Sequence, residues 1–421
     1  VSQEVVEARL GRPPQDMLEA AVVLEAWAGV PPSRALEAGR ALMPAAPAAP
    51  RRSTGRLADP EPRRRIAFEA VAFGASVVAI ALWASPLRQA IGAGGLGLAL
   101  TVALPLTLAL QWGLSSRYLS RPGGAAALTR NRAALAAGIA VVVAAPSAAL
   151  GAAGLVAGLL TVVWVGGAIL IRRGSALGYT ALVAAATPAM LGASAPRFVL
   201  AWLAGTIALA ALIAPRAPVG AHAPLGRWER ALSSALIGAA LGLLLVGDRS
   251  LGWTAGPAAA FLLVPSIMAG CWGSAHVWRL AHALPSSLAG VGIGERPRTT
   301  ALRVLAGALA RTVLACTALS LIAALALPLR ESGTARACTL LGFGLLALVT
   351  LLAGLLESLA RGRWALAAVS AGALVEALVA SPVSGGALIA GAAVAVAVLL
   401  PAAVAPLRRP ATTVATTVWI A

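Results

Sequence analysis

The sequence predicts an all-α integral membrane protein: twelve transmembrane helices in two six-helix pseudo-repeats, preceded by a small N-terminal soluble helical segment. Three observations predict it. Residues of the class AVILMFWYC fill 59% of the 421 positions and charged residues only 11%, a balance that a water-exposed surface does not carry. Apolar runs of membrane-spanning length recur twelve times along the chain. Between those runs, arginine is concentrated in alternate loops. All 33 basic residues are Arg, so the net charge of +18 is read first as topology and not as a nucleic-acid footprint.

Residues 1–43 differ in character from the rest. Val5, Val6, Leu10, Met17, Leu18, Ala21, Val22, Leu24, Ala28, Leu36 and Leu42 recur at helical spacings among Glu4, Glu7, Asp16, Glu19, Glu25 and Glu37, the pattern of a small soluble module. Pro13–Pro14 and Pro31–Pro32 break it into two or three short helices, with Ser33 in place to cap the last. Six acidic residues in the first forty, with no apolar stretch behind a basic start, do not fit a cleavable leader. The stretch 44–65, rich in Pro and Ala and carrying Arg51, Arg52, Arg56, Arg63, Arg64 and Arg65, reads as a basic linker at a membrane surface.

A helix crossing the hydrocarbon core needs about 20 apolar residues. Such runs fall near 66–84, 91–114, 133–148, 150–171, 176–195, 198–214, 231–247, 251–275, 304–328, 337–357, 364–381 and 384–406. They divide the chain into a first half (66–214), a connector (215–230), a second half (231–406) and a tail (407–421). With the N-terminus inside, the inside loops hold seventeen Arg and the outside loops five: Arg88, Arg197, Arg249, Arg330 and Arg336. Cytoplasmic loops retain positive charge, so the expectation is a bacterial cytoplasmic-membrane protein with both termini cytoplasmic.

Aligned with itself at an offset of 160 residues, the chain pairs Glu69 with Glu229, Gly92 with Gly252, Pro105 with Pro265 and Trp112–Gly113 with Trp272–Gly273. Spans one and two thus match seven and eight. Two such halves of equal orientation are the arrangement in which a central cavity alternates its access; the alternative is that Pro and Gly mark kinks in unrelated helices.

Residues 91–121 place Gly92, Gly95 and Gly97 before an apolar helix, which ends in Gly113–Leu114 and is followed by Arg117–Tyr118. This segment resembles the second helix of polysaccharide flippases in the multidrug, oligosaccharide-lipid and polysaccharide exporter superfamily. The resemblance covers about thirty residues and is architectural beyond them. It implies passage of a lipid-linked oligosaccharide or an exopolysaccharide across the membrane by alternating access. The first span carries no Arg and the chain stops after twelve runs, which disfavours the lipid II flippase branch. A major facilitator carrier is the alternative, although residues 113–124 lack the Asp of its loop motif.

Ionisable groups at bilayer depth are costly and face a cavity or a partner. Glu376, flanked by Leu374, Val375, Ala377 and Leu378, is the first candidate for a proton, a cation or a sugar hydroxyl; its bland reading is a protonated carboxyl tied to a neighbouring helix. Arg311 either meets an acidic group in the cavity or snorkels to the interface. Glu69 and Glu229, at equivalent repeat positions, either couple an ion or pair with loop arginines such as Arg65, Arg230 and Arg361, as does Glu357. Arg117 joins the substrate candidates. Trp83, Trp202, Trp253 and Trp364 are expected as interfacial anchors, and Trp112 and Trp272 as packing between the halves.

The glycines and His276 and His282 of loop 276–303 lack a preceding strand and the dinucleotide spacing. Cys271, Cys316 and Cys338 read as small buried residues. Catalytic residues, cofactors and metals are not expected. The expected partners are the bilayer, a lipid-linked glycan or polysaccharide, and glycan-synthesis proteins met through the N-terminal module. Beside glycan export stand a proton-coupled solute or drug carrier and, less well supported by short external loops, a membrane glycosyltransferase or ligase.

Overall fold

The structure is a computed structural model; it describes residues 3–10, 14, 17–42, 60–119, 128, 132–213, 228–247, 263–270, 273, 297–326, 333–359, 361–379 and 385–408. Among these, every regular element is helical. Seven helices are long and apolar enough to cross a membrane, and Phe198, Trp202, Leu209, Ile213, Leu321 and Leu378 stand exposed on outward faces, as lipid requires. The chain is a multi-pass membrane protein.

The N-terminal module consists of α1 (Gln3–Leu10), α2 (Met17–Trp27) and α3 (Pro32–Ala41). Val6, Ala20, Val23 and Leu24 form its core, and the Arg9 guanidinium lies 4.2 Å over the Trp27 ring, tying α1 to α2. Ser33 does not cap α3 as expected: the helix begins at Pro32, with Pro31 before it and no side-chain cap. Proline suits a first helical position, where its missing N–H has no partner to lose. Leu18 and Leu36 pack against the membrane core that contains Ile237, Leu244 and Leu352.

The helix α4 (Pro60–Leu114) begins inside the predicted linker. A straight helix of its length would reach about 80 Å at 1.5 Å per residue, far beyond the roughly 30 Å of hydrocarbon. It is interrupted at Gly92, whose φ of 77° and ψ of 162° belong to a region open essentially to glycine alone. Phe73 and Gln111, Val77 and Thr107, Ile80 and Leu104, and Ala84 and Leu100 all line one cavity. Only two antiparallel limbs, α4a (60–91) and α4b (93–114), can bring those pairs together. One turn of π-helix, Ser115–Leu119, follows.

The next element, α5 (Arg132–Arg172), repeats the device at Gly151, with φ 56° and ψ −129°. A Cβ on Gly158 would lie 2.7 Å from Val143 Cα, and one on Gly154 would strike the Pro146 carbonyl, so the limbs touch backbone to backbone. Glycine permits this close approach, as small residues do between membrane helices. α6 (Ala176–Gly192) and α7 (Pro196–Ile213) complete a first bundle around Trp83, Leu96, Val156, Leu160, Tyr179, Met190, Leu200 and Ile207.

α8 (Trp228–Val246), α9 (Pro297–Ala326), α10 (Gly333–Ser358), α11 (Gly362–Leu378) and α12 (Gly386–Leu407) build the second bundle. Ile237, Leu244, Leu263, Leu305, Phe343, Leu352, Val369, Leu388 and Leu399 share its core. The predicted eighth run is represented by helical residues 263–270; Trp253, Cys271, Trp272, His276 and His282 lie outside the described residues, as do most of the predicted linker, connector and tail. Cys316 is buried, as expected, and Cys338 only partly so.

The bundles meet where α4b crosses α8 antiparallel. A Cβ on Gly238 would strike the Leu108 carbonyl, and one on Gly242 would lie 2.7 Å from Pro105 N. Gly238-x3-Gly242 is thus a small-residue crossing through which two backbones come into contact.

Candidate functional site: a central cavity and its closure

A cavity of about 160 Å³ opens between the bundles. Phe73, Val77, Ile80 and Ala84 come from α4a, and Leu100, Leu104 and Leu108 from α4b. Trp164, Ala168 and Ile171 come from α5, Leu245 from α8, and Leu263 and Ile267 from segment 263–270. The wall is apolar except at one end, where Ser76, Thr107, Gln111 and Tyr179 are grouped. The hairpin at Gly92 explains the grouping, because Ser76 and Thr107 stand at the same height on opposite limbs.

Three of the four polar groups are engaged. Ser76 Oγ and Tyr179 Oη lie 2.8 Å apart, and Ser76 also donates to the Ala72 carbonyl, which makes Tyr179 the donor between them. Gln111 donates from Nε2 to the Trp164 carbonyl at 3.1 Å. Thr107 differs. Its side chain is 4% exposed, and its hydroxyl has no hydrogen-bond partner among the described residues. Thr161, Thr180, Thr187, Thr206, Thr312 and Thr350 each satisfy theirs on the carbonyl four residues back, at 2.9 Å, the usual refuge of a helical threonine. An unmade hydrogen bond on a buried hydroxyl costs about 1–3 kcal/mol.

Beyond the Leu114 end of α4b, a second cluster joins the bundles. The Arg117 guanidinium stacks 3.6 Å above the Trp228 ring and donates from Nε to Tyr118 Oη at 3.2 Å. Glu357, at the end of α10, accepts hydrogen bonds from Ser234 of α8 and Ser116 of the π-turn, with the Arg230 charge nearby. The π-turn widens the helix by one residue per turn, a geometry common at functional positions. Here it carries both Ser116 and Arg117.

None of the five sequence candidates is among the described cavity-lining residues. Arg117 belongs to the closing cluster. Glu376 is buried, 2% exposed, near the far end of α11; Gly247 and Gly391 abut its side chain, so that a Cβ on either would lie 2.8 Å from Glu376 Oε2 and Cβ respectively. Arg311 folds back along its own helix, with Nη1 3.3 Å from the Gly307 carbonyl. Glu69 faces Arg172 at 4.0 Å, a loop arginine other than those expected, and Glu229 is solvent-exposed at the start of α8.

Among the tryptophans, Trp364 is exposed in the first turn of α11, and Trp202 is exposed about a third of the way along α7. Trp83 corrects its expectation: it is 1% exposed and donates from Nε1 to Thr187 at 3.2 Å, inside the first bundle. Trp112 packs against the core of the second bundle, as expected.

The neutral polar residues of the cavity were not singled out from sequence, where the search favoured charge. A usable signal existed in Gln111, an amide inside an apolar run directly before the repeated Trp112–Gly113. Just outside the helices, Arg173 donates to the Ala211 carbonyl at 2.7 Å, and burial lowers its pKa below the ordinary arginine value. Searches against family models, curated proteins and solved structures return no match.

Proposed function

We propose that the chain is a twelve-span transporter of two related bundles that moves an amphipathic substrate, a lipid-linked oligosaccharide or a nascent exopolysaccharide, by alternating access across a bacterial cytoplasmic membrane. The observation that carries the reading is the cavity between bundles, walled by both limbs of α4, by the second limb of α5, by Tyr179 of α6, by Leu245 of α8 and by segment 263–270. They include the first, second, seventh and eighth predicted spans, the set that lines the pathway in the exporter superfamily resembled by residues 91–121, together with the fourth and fifth. A facilitator-type carrier draws its pathway from spans one, four, seven and ten; span four supplies Trp164, Ala168 and Ile171 here, but span two supplies Leu100, Leu104, Thr107, Leu108 and Gln111 and α10 contributes no described residue to this wall.

Equivalent contacts support the duplication. In the first bundle α4a runs parallel to α6 through Ser76–Tyr179 and Trp83–Thr187. In the second, α8 and α11 run parallel, with Gly362 beside Ile237 and Gly247 beside Glu376. The second pairs lie farther apart in sequence, and the long basic loop 276–303 absorbs much of the excess.

At about 160 Å³ the cavity is smaller than the 300–1,000 Å³ of ordinary ligand sites, which suits a narrowed but still open state. With the N-terminus cytoplasmic, the Arg117–Trp228 and Glu357–Ser234 contacts close its inner end. Inward opening breaks them, while the Gly238–Gly242 crossing serves as the fulcrum. Deleting the gene and analysing surface glycan tests the reading; glycan unchanged in amount and length refutes it.

A further inference from the structure

We infer that the cavity is a binding site for an uncharged amphiphile, seating a hydroxyl or carbonyl head against Thr107 and Gln111 and the first carbons of its chain against Ile80, Leu104, Leu245 and Leu263. The inference rests on the transporter reading for its place in a cycle, and names the chemistry of the group that the cavity holds.

The polar end is built from neutral donors and acceptors, and among the described lining residues none is charged. A phosphate or pyrophosphate taken into this apolar wall would lose its hydration with no cation to replace it, so the phosphate linkage of a transported lipid stays outside this pocket. A hydroxyl needs only one acceptor and one donor. Thr107 supplies both from a side chain whose hydroxyl no described residue satisfies, and the Gln111 amide stands one helical turn away on the same limb. The unmade bond on Thr107 is itself a reason for the site to favour a polar ligand over an empty or purely apolar one. Size agrees: an apolar cavity of about 150 Å³ takes up benzene, so this one holds a head and a few carbons while the rest of a chain leaves between the bundles.

The test is photolabelling of the full chain in nanodiscs with 3-azi-octanol, with labelled peptides read by mass spectrometry. Labelling is expected within 73–84 and 100–111, saturable, competed by 1-octanol and not by octyl phosphate. Thr107→Val, which keeps the shape and removes the hydroxyl, lowers cavity labelling roughly 3- to 10-fold, and Thr107→Ser restores it. Labelling at lipid-facing Leu209 and Ile213 stays constant in all variants, which separates loss of a hydrogen bond from loss of fold. Competition by octyl phosphate equal to that by octanol, or labelling indifferent to Thr107→Val, overturns the inference. Selective labelling together with unaltered surface glycan in a deletion strain overturns the glycan reading alone; altered glycan with unselective labelling overturns the binding site alone.

Discussion

Gly242→Ala is the substitution that most directly probes how the two bundles are held together. Alanine favours a helix interior over glycine by about 1 kcal/mol, so propensity alone predicts stabilisation. At Gly242, however, the added Cβ would strike Pro105 Cα and lie 2.7 Å from Pro105 N and 3.1 Å from the Leu104 carbonyl carbon, against an ordinary contact of 3.4 Å or more. The obstacles are backbone atoms and cannot rotate aside, so α4b and α8 must part by about 1 Å. A gap of that size forfeits roughly a quarter to a half of each dispersion contact. Over some 40–60 atom pairs at about 0.1–0.2 kcal/mol each, the loss is about 1–6 kcal/mol, larger than the gain in propensity over most of that range. Gly205→Ala is the control, since nothing lies within 4 Å of its Cβ. Thermal unfolding in detergent, followed by tryptophan fluorescence, should place Gly242→Ala below and Gly205→Ala at or above the parent. Equal midpoints for the two variants would refute the backbone crossing.

Four further outcomes follow from single contacts. Arg117→Ala removes the stacking on Trp228, worth about 0.5–2 kcal/mol, and should speed modification of a cysteine placed at Ser116 by a cytoplasmic thiol reagent about 2- to 30-fold; unchanged rates would deny it a closing role. Ser234→Ala strips a hydrogen bond from half-buried Glu357 and should lower stability by about 1–3 kcal/mol, with Ser234→Thr close to the parent in the same unfolding assay. Trp83→Phe should cost about 1 kcal/mol through the lost bond to Thr187, whereas Trp202→Phe, exposed to lipid, should not move the midpoint. Gly151→Ala forces a side chain into a backbone region that disfavours it at about 1–3 kcal/mol; a midpoint unchanged from the parent would mean that the turn of α5 is placed wrongly.

The fold was legible where its cause is solvent. Apolar run length follows from bilayer thickness, and the predicted runs at 133–148 and 150–171 meet at the Gly151 turn because no more than a residue or two separates them. The limits of α4 were not legible. Its helix extends back to Pro60 through Arg63, Arg64 and Arg65, because charge ends a membrane span without ending a helix. Nor could composition identify which glycine breaks a helix and which lies at a crossing: Gly92 and Gly151 turn the chain, while Gly238 and Gly242 admit a neighbouring backbone. The difference lies in the partner, which local sequence does not contain.

The candidate site was less legible, for a reason tied to what a membrane penalises. Weighing residues by the cost of burying charge led to Glu376, yet its side chain is buried against Gly247 and Gly391, outside the cavity. Threonine carries no such flag, because in a helix it normally spends its hydroxyl on the preceding turn. Thr107 becomes visible only when it is seen not to do so. The Ser76–Thr107 level also exists only once Gly92 folds α4 back on itself, so the polar end of the cavity is a product of topology. Tyr179 shows the same dependence: its hydroxyl is satisfied by Ser76 on a limb distant in sequence, and removing it with Tyr179→Phe should leave the cavity walls in place. Ser76 keeps its bond to the Ala72 carbonyl but loses the donor that occupied its oxygen, which adds an acceptor to the polar end. Tyr179→Phe should therefore hold 3-azi-octanol at least as strongly as the parent protein, and a variant that labels more weakly would mean that the tyrosine itself contacts the ligand.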